Sequence, residues 1–123
     1  MKLDTITKTK LTTKLISTSF NQLLETDIES ILLIERQSSN NPWTQTQLLE
    51  SIKNPVNLAY SLIYKSEIIG YLIAMPVIES ADILNIAINS SYQRKGFGKA
   101  LIEHLVQVLN KREINEVLLE VRQ

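Results

Sequence analysis

Apolar and polar positions along the chain follow two periods in turn. In "TDIESILLIERQ", Ile28, Ile31 and Leu32 recur at helical spacing. Thr26 precedes them with Glu29 three residues on, the spacing of a reciprocal capping box, so a helix is predicted from about Asp27 to Gln37. "SSNNPW" interrupts it at Pro42. Thr44 and Gln47 form a second box, Trp43 stands where it can staple against Leu48, and Lys53-Asn54-Pro55 closes this second helix. The period then shortens. "NLAYSLIYKSEIIGYLIAMPVI" predicts two strands around a tight turn at Lys65-Ser66-Glu67, with Gly70 marking a bulge and Pro76 an irregular or edge position. "ADILNIAI" predicts a further strand, with Leu84, Ile86 and Ile88 on one face and Ile83, Asn85 and Ala87 on the other. That second face is small and partly polar, which leaves room for something other than a bulky core.

After a loop at 89–96, "FGKALIEHLVQVLNKR" returns to helical spacing. Leu101, Leu105, Val108 and Leu109 form its stripe, and Lys111 and Arg112 sit at its negative end. "NEVLLEVRQ" predicts a last strand, with Val117, Leu119 and Val121 pointing one way and Glu116, Leu118, Glu120 and Arg122 the other. A first strand is expected near "KLIST", behind a mobile basic tail. Two helices, a run of strands and then strand-helix-strand make an α/β fold whose mixed sheet contains at least one parallel crossover.

With 123 residues the chain suits one domain, 1–123, of which 1–10 is the expected flexible tail. Its 13 basic residues equal its 13 acidic ones, so no global field favours nucleic acid or an anionic membrane, and any anion site must be local. Cysteine is absent and His104 is the only histidine, which excludes thiolate chemistry, cysteine zinc sites and a histidine-rich metal site. No apolar stretch reaches the roughly 20 residues of a membrane span, and the opening lacks a secretory pattern, so the cytoplasm is the expected location.

The candidate chemistry lies in "YQRKGFGKAL". A strand that feeds a helix through a turn leaves the first helical amides unpaired, where they and the dipole attract an anion. Gly96 and Gly98 let backbone approach a phosphate, and Arg94, Lys95 and Lys99 add positive charge. The combination suits a pyrophosphate. Taken alone it fits a structural turn equally well, because the third glycine of a dinucleotide fingerprint and the Lys-Ser/Thr of a P-loop are missing.

Read together, "ADILNIAINSSYQRKGFGKALIEHLVQVL" and "LLEVR" resemble the GNAT superfamily of N-acetyltransferases, and within it the RimI-type enzymes that acetylate the N-terminal amine of a ribosomal protein. "IERQSSNNPWTQTQLLESI" is similar to that group's first two helices and their Pro-Trp-Ser/Thr turn. The resemblance runs from about residue 20 and implies the GNAT fold, a mixed central sheet with helices on both faces. It implies acetyl-CoA as co-substrate and no metal. The family's Gln/Arg-x-x-Gly-x-Gly/Ala loop, which wraps the pyrophosphate, matches Gln93, Arg94, Gly96 and Gly98, with Lys95, Phe97 and Lys99 inside or beside it. The strand that bonds the pantetheine arm through its backbone matches Ile86, Ala87 and Ile88, and an amide there would stabilise the developing oxyanion. Ser90 departs from the family, which usually has proline at that position.

By the same resemblance Glu120 of "LEVR" is the base that takes the acceptor amine's proton. Read only as a strand residue, Glu120 is better taken as a solvent-facing carboxylate paired with Arg122. His104 is expected to be a surface or half-buried helix residue. Trp43 is read as a staple that could also wall the substrate groove, and Tyr60, Tyr64 and Tyr71 as packing residues. In relatives a Ser-Asn turn, a helix and two closing strands follow "LEVR" and supply an asparagine for CoA and a tyrosine acid. The sequence stops at Gln123, so the expectation is a C-terminally truncated member whose uncovered last strand could self-associate. Two alternatives stay open: a small-amine acetyltransferase of the same fold, and a catalytically impaired CoA-binding or interaction module.

Overall fold

The computed structural model describes residues 18–114 and 116–119. Among them, five strands form one sheet in chain order: β1 (Thr18–Gln22), β2 (Leu58–Tyr64), β3 (Glu67–Val77), β4 (Ser80–Ile88) and β5 (Glu116–Leu119). The helices are α1 (Ile28–Ser38), α2 (Gln45–Lys53) and α3 (Phe97–Lys111). Neighbouring strands are antiparallel except β4 and β5, which run parallel on either side of the α3 crossover. The mixed sheet and its parallel crossover are therefore as predicted. Of the first strand, expected near Lys14–Thr18, the described part is Thr18–Gln22, and the rest of that segment and the anticipated tail lie outside the described residues.

Local signals explain most of the element boundaries. At α2 the box closes as the sequence predicts: Gln47 N–H donates to Thr44 Oγ1 at 3.1 Å, and Thr44 N–H donates to Gln47 Oε1 at 2.8 Å. At α1 it does not. A single 3₁₀ turn, Glu25–Asp27, takes Thr26 into its middle and moves the helix start to Ile28. Asp27 Oδ2 instead accepts from Leu24 N–H at 2.9 Å, so a neighbouring carboxylate does the work expected of the Thr26–Glu29 pair. Lys65 and Ser66 turn β2 into β3, both at positive φ, the sign that suits a two-residue hairpin.

Each sheet face carries its own core. On one side Ile69, Leu72, Ala74 and Ile83 pack against Phe97, Leu101, Leu105 and Leu109 of α3. On the other, Ala59, Tyr71, Ile73 and Ala87 pack against Ile31 and Ile34 of α1 and Leu48 of α2. Burying each such aliphatic side chain stabilises the fold by roughly 1.5–3 kcal/mol, so both layers hold the sheet.

Two register slips shape β4. Between β2 and β3 the pairing passes from Leu62↔Gly70 to Ile63↔Ile68, which leaves Ile69 as the extra residue beside Gly70, as that glycine predicts. A Cβ on Gly70 would stand 2.5 Å from Ile88 Cδ1 and 3.0 Å from the Ala87 carbonyl, so glycine here lets the end of β4 lie close to β3. Between β3 and β4 the pairing passes from Ile73↔Asn85 to Ala74↔Ile83, and Leu84 is left over. This second bulge corrects the predicted faces. Ile83 packs on the α3 side with Ile86 and Ile88, while Leu84 joins Ala87 on the α1–α2 side. The small face is also filled, because Ala87 is buried in the α1–α2 core beside Tyr71. Pro76 pairs only toward β4, past Leu58↔Ala74, the last rung with β2.

Candidate active site

The parallel ladder between β4 and β5 runs only from Ser80↔Glu116 to Ile83↔Leu119 among the described residues. Beyond it β4 continues through Ile86, Ala87 and Ile88, which pair with Leu72, Tyr71 and Gly70 of β3. Their other edge has no strand partner among the described residues. An unpaired strand edge offers alternating N–H and C=O groups to an extended ligand. The Ile88 carbonyl is already engaged: Gln93 Nε2 donates to it at 3.0 Å, and Ser38 Oγ lies 3.0 Å from it and 2.7 Å from the Ile34 carbonyl. The open edge therefore centres on Ile86, because Ala87 turns its backbone groups toward β3, as Asn89 N–H does toward the Ile69 carbonyl, and Ile88 anchors the loop and the end of α1.

The loop that follows is turned by local geometry. Asn89 Oδ1 accepts from Ser91 N–H at 2.9 Å and starts a short 3₁₀ turn, Ser90–Tyr92. Arg94 and Gly96 both take positive φ, 63° and 87°. A Cβ at Gly96 would meet nothing within 4 Å, so its φ, not crowding, requires glycine there. The first intrahelical bond of α3 runs from Ala100 N–H to the Gly96 carbonyl, at 3.0 Å. The N–H groups of Phe97, Gly98 and Lys99 thus have no acceptor within the helix, and no side chain caps the terminus. A Cβ on Gly98 would lie 3.8 Å from Ile88 Cγ1, so the uncapped terminus faces the end of β4.

Cations surround this point. Arg94, Lys95 and Lys99 are exposed. Lys95 Nζ lies 5.9 Å from the centre of the Tyr92 ring, and Lys99 pairs loosely with Glu103 at 3.9 Å. Exposed contacts of this kind contribute under about 1 kcal/mol, so both lysines can turn to a ligand. Phe97 departs from its expected place. Its side chain is buried in the α3 core, 5.6 Å from the Tyr64 ring and 6.0 Å from Tyr92, so only its backbone can serve the loop.

The structure also brings together a group that the sequence reading missed. Glu35, 3% exposed, lies on the buried face of α1. Its Oε1 accepts from the Tyr71 hydroxyl at 2.8 Å and its Oε2 from Trp43 N–H at 2.8 Å. Asn85 Nδ2 in turn donates to the Tyr71 oxygen at 3.0 Å. Burial first, then the Glu35 charge and hydrogen bond, push the Tyr71 phenol far above its ordinary range, so it remains a donor. Tyr71 is thus a packing residue, as expected, that also carries polar work. One sequence signal pointed here: Glu35 follows Ile28 and Ile31 at helical spacing, which puts a carboxylate on the apolar stripe.

Glu120 lies outside the described residues, immediately after Leu119, the last residue of the parallel ladder. On the strand leading to it, Glu116 and Leu118 are exposed while Val117 packs toward the α3 core, the alternation that the sequence predicts. His104 is half-buried, stacked on Phe20 at 4.3 Å and edge-on to Tyr60 at 4.8 Å, on a helix position away from the glycine loop.

The site can be set beside known proteins. The profile of the Acetyltransferase (GNAT) family matches residues 13–123. The ribosomal protein bS18-alanine N-acetyltransferase of Escherichia coli (strain K12) is 32% identical over 104 residues, which span 85% of this chain and 70% of that protein. The crystal structure of the Escherichia coli ribosomal-protein-S18-alanine N-acetyltransferase superposes with a TM-score of 0.79 at 30% identity, covering 85% of this chain and 67% of that one. The PaiA N-acetyltransferase of Thermoplasma acidophilum, in complex with coenzyme A, shares the fold with a TM-score of 0.75 at 20% identity, over 87% of this chain and 80% of that one. This likeness along most of the sequence, with a glycine turn and an uncapped α3 terminus beside the end of β4, makes the chain a member of the Acetyltransferase (GNAT) family.

Proposed function

We propose that this chain transfers an acetyl group from acetyl-CoA to the N-terminal α-amine of a protein, and that the acceptor class is ribosomal, as for the bS18-acetylating relatives. A ribosomal acceptor puts the reaction in the cytoplasm. The observation that carries the reading is the edge of β4, without a strand partner past Ile83 among the described residues, that leads directly to the uncapped N-terminus of α3. A pantetheine arm needs such an edge, and a pyrophosphate needs such a terminus.

Acetyl-CoA supplies the acetyl group as a thioester. The free N–H groups of Phe97, Gly98 and Lys99 meet the pyrophosphate, and Arg94, Lys95 and Lys99 neutralise it. Gln93 holds the loop, and Ser38 the end of α1, to the end of β4 through the Ile88 carbonyl. The backbone of Ile86 takes the arm, and an N–H on that edge stabilises the negative charge that develops on the carbonyl oxygen. An α-amine has a pKa of about 8, so a base is needed near neutral pH, and Glu120 takes that proton.

Calorimetric titration of the full chain with acetyl-CoA tests the cofactor site, beside Gly98→Glu. Gly98 does not need positive φ, and a helix's first turn tolerates an acidic side chain. The variant should therefore fold while placing a carboxylate where the phosphates belong. Wild-type binding with a loss of about tenfold or more in the variant is expected; no binding by the wild type would sink the reading. Assays with an N-terminal alanine peptide against a polyamine then separate the acceptor classes, and turnover of the polyamine alone would replace the protein acceptor with a small amine.

A further inference from the structure

The polar chain beneath β4 has an end that nothing among the described residues uses. Glu35 accepts from both Trp43 N–H and the Tyr71 hydroxyl, so the Tyr71 proton is committed to the carboxylate and only its lone pairs face Asn85. The Asn85 amide must then present Nδ2 to Tyr71, as it does at 3.0 Å, because the flipped amide would set two oxygens against each other. Three residues thereby fix the orientation of a fourth. Oδ1 of Asn85, the other arm of the amide, is turned away from the Tyr71 oxygen and accepts no hydrogen bond among the described residues. It is not buried either, since the one buried side-chain atom without a partner among them is Asn57 Oδ1.

Asn85 stands on β4 between the Leu84 bulge and Ile86, past Ile83↔Leu119, the last rung with β5 among the described residues. A neutral acceptor held in one orientation on this part of β4 suits an N–H donor that arrives there. Water would satisfy a mobile asparagine equally well, whereas an oriented one favours a donor in one position. The same chain reaches Trp43 in the α1–α2 turn, so one buried carboxylate aligns that turn with the strand.

We infer that Asn85 is the residue that orients the acceptor: its Oδ1, aimed by the Trp43–Glu35–Tyr71 chain, accepts a hydrogen bond from an N–H of the acceptor's terminal amine. The inference rests on the acetyl-transfer reading and names the contact that places the amine for attack. Asn85 takes no proton in the reaction. Glu35 and Tyr71 are positioning residues that act through it.

The test uses two ligands on the full chain: CoA, and a conjugate in which CoA is joined through its acetyl carbon to the N-terminal nitrogen of an alanine-led peptide, which keeps one N–H. Calorimetry should give tighter binding of the conjugate than of CoA. In Asn85→Ala that advantage should shrink about tenfold while CoA affinity stays unchanged, which also reports that the variant is folded. Tyr71→Phe, which frees the amide to turn, should do the same to a smaller extent. Asn85→Ala placed in the Tyr71→Phe background should then cost less than it does alone, a coupling that two independent packing defects would not produce. In turnover, the acceptor KM should rise more than kcat falls. If CoA binds and the conjugate's advantage survives Asn85→Ala, the role of Asn85 is overturned alone. Should the wild type bind neither ligand, the acetyl-transfer reading falls and this role with it.

Discussion

The two faces of the sheet are built from different materials. Beneath α3 the core is aliphatic and aromatic, with Phe97, Leu101, Leu105 and Leu109 set into Ile69, Leu72 and Ile83. Beneath α1 and α2 an otherwise similar core contains a carboxylate, a phenol and an amide in sequence. Burying the Glu35 charge costs several kcal/mol of hydration, which two short hydrogen bonds offset in part. Apolar packing would have held α1 to the sheet at less cost. What a hydrogen-bond chain adds is direction, since it fixes which way each polar atom points. The α3 face therefore serves as a frame for the helix terminus and its loop, while the opposite face sets the geometry along β4.

The comparison can be broken at either face. Leu105→Ala, at a fully buried site under α3, should lower unfolding free energy by about 2–5 kcal/mol in urea titration, with CoA affinity preserved where the chain stays folded. Glu35→Gln should cost less, about 1–3 kcal/mol, because one donor now faces the new amide group without an acceptor. The two variants should separate in their functional readouts. Leu105→Ala loosens a frame and should leave the ratio of acceptor KM to CoA affinity unchanged. Glu35→Gln should raise acceptor KM out of proportion to its stability loss. Equal ratios in both variants would mean that the polar chain is only another way of packing a helix.

The faces also differ in how far the sequence revealed them. The α2 box, the α3 stripe and the glycine turn were legible because each depends on neighbours within four residues, as Thr44 and Gln47 illustrate. Gly70 announced its bulge, since its missing side chain lets Ile88 approach. Leu84 announced nothing. Its bulge arises from the pairing of β3 with β4, and an apolar residue in an apolar strand carries no mark of a slipped register. Ile83 and Leu84 were therefore assigned to the wrong faces. Glu35 was overlooked for a related reason: a glutamate within a helix is ordinarily solvated, and its burial depends on Tyr71, 36 residues away in the chain. Phe97, read as part of a ligand loop, proved a core residue because the first turn of α3 already rests on Tyr64 and Tyr92.

The smallest expected difference between the faces is in their response to pH. His104 is the histidine of the α3 side, and burial, then the nearby Lys111 charge, lower its pKa below the usual value. Its surroundings are the Phe20 and Tyr60 rings from β1 and β2, with Arg112 acting on Tyr60 and Glu103 next in sequence. The unfolded chain binds a proton at about pH 6.5, whereas the folded chain resists until a lower pH. Stability from this site is therefore complete above about pH 6.5, declines as pH falls through the window just beneath it, and levels off once the folded histidine also titrates. On the other face Tyr71 is shifted upward, away from this window, and contributes no slope there. Melting temperatures followed from about pH 7.5 to 5 in wild type and His104→Gln should show a shallower decline in the variant. An identical decline would remove His104 from the account and leave the carboxylates to explain the loss of stability in acid.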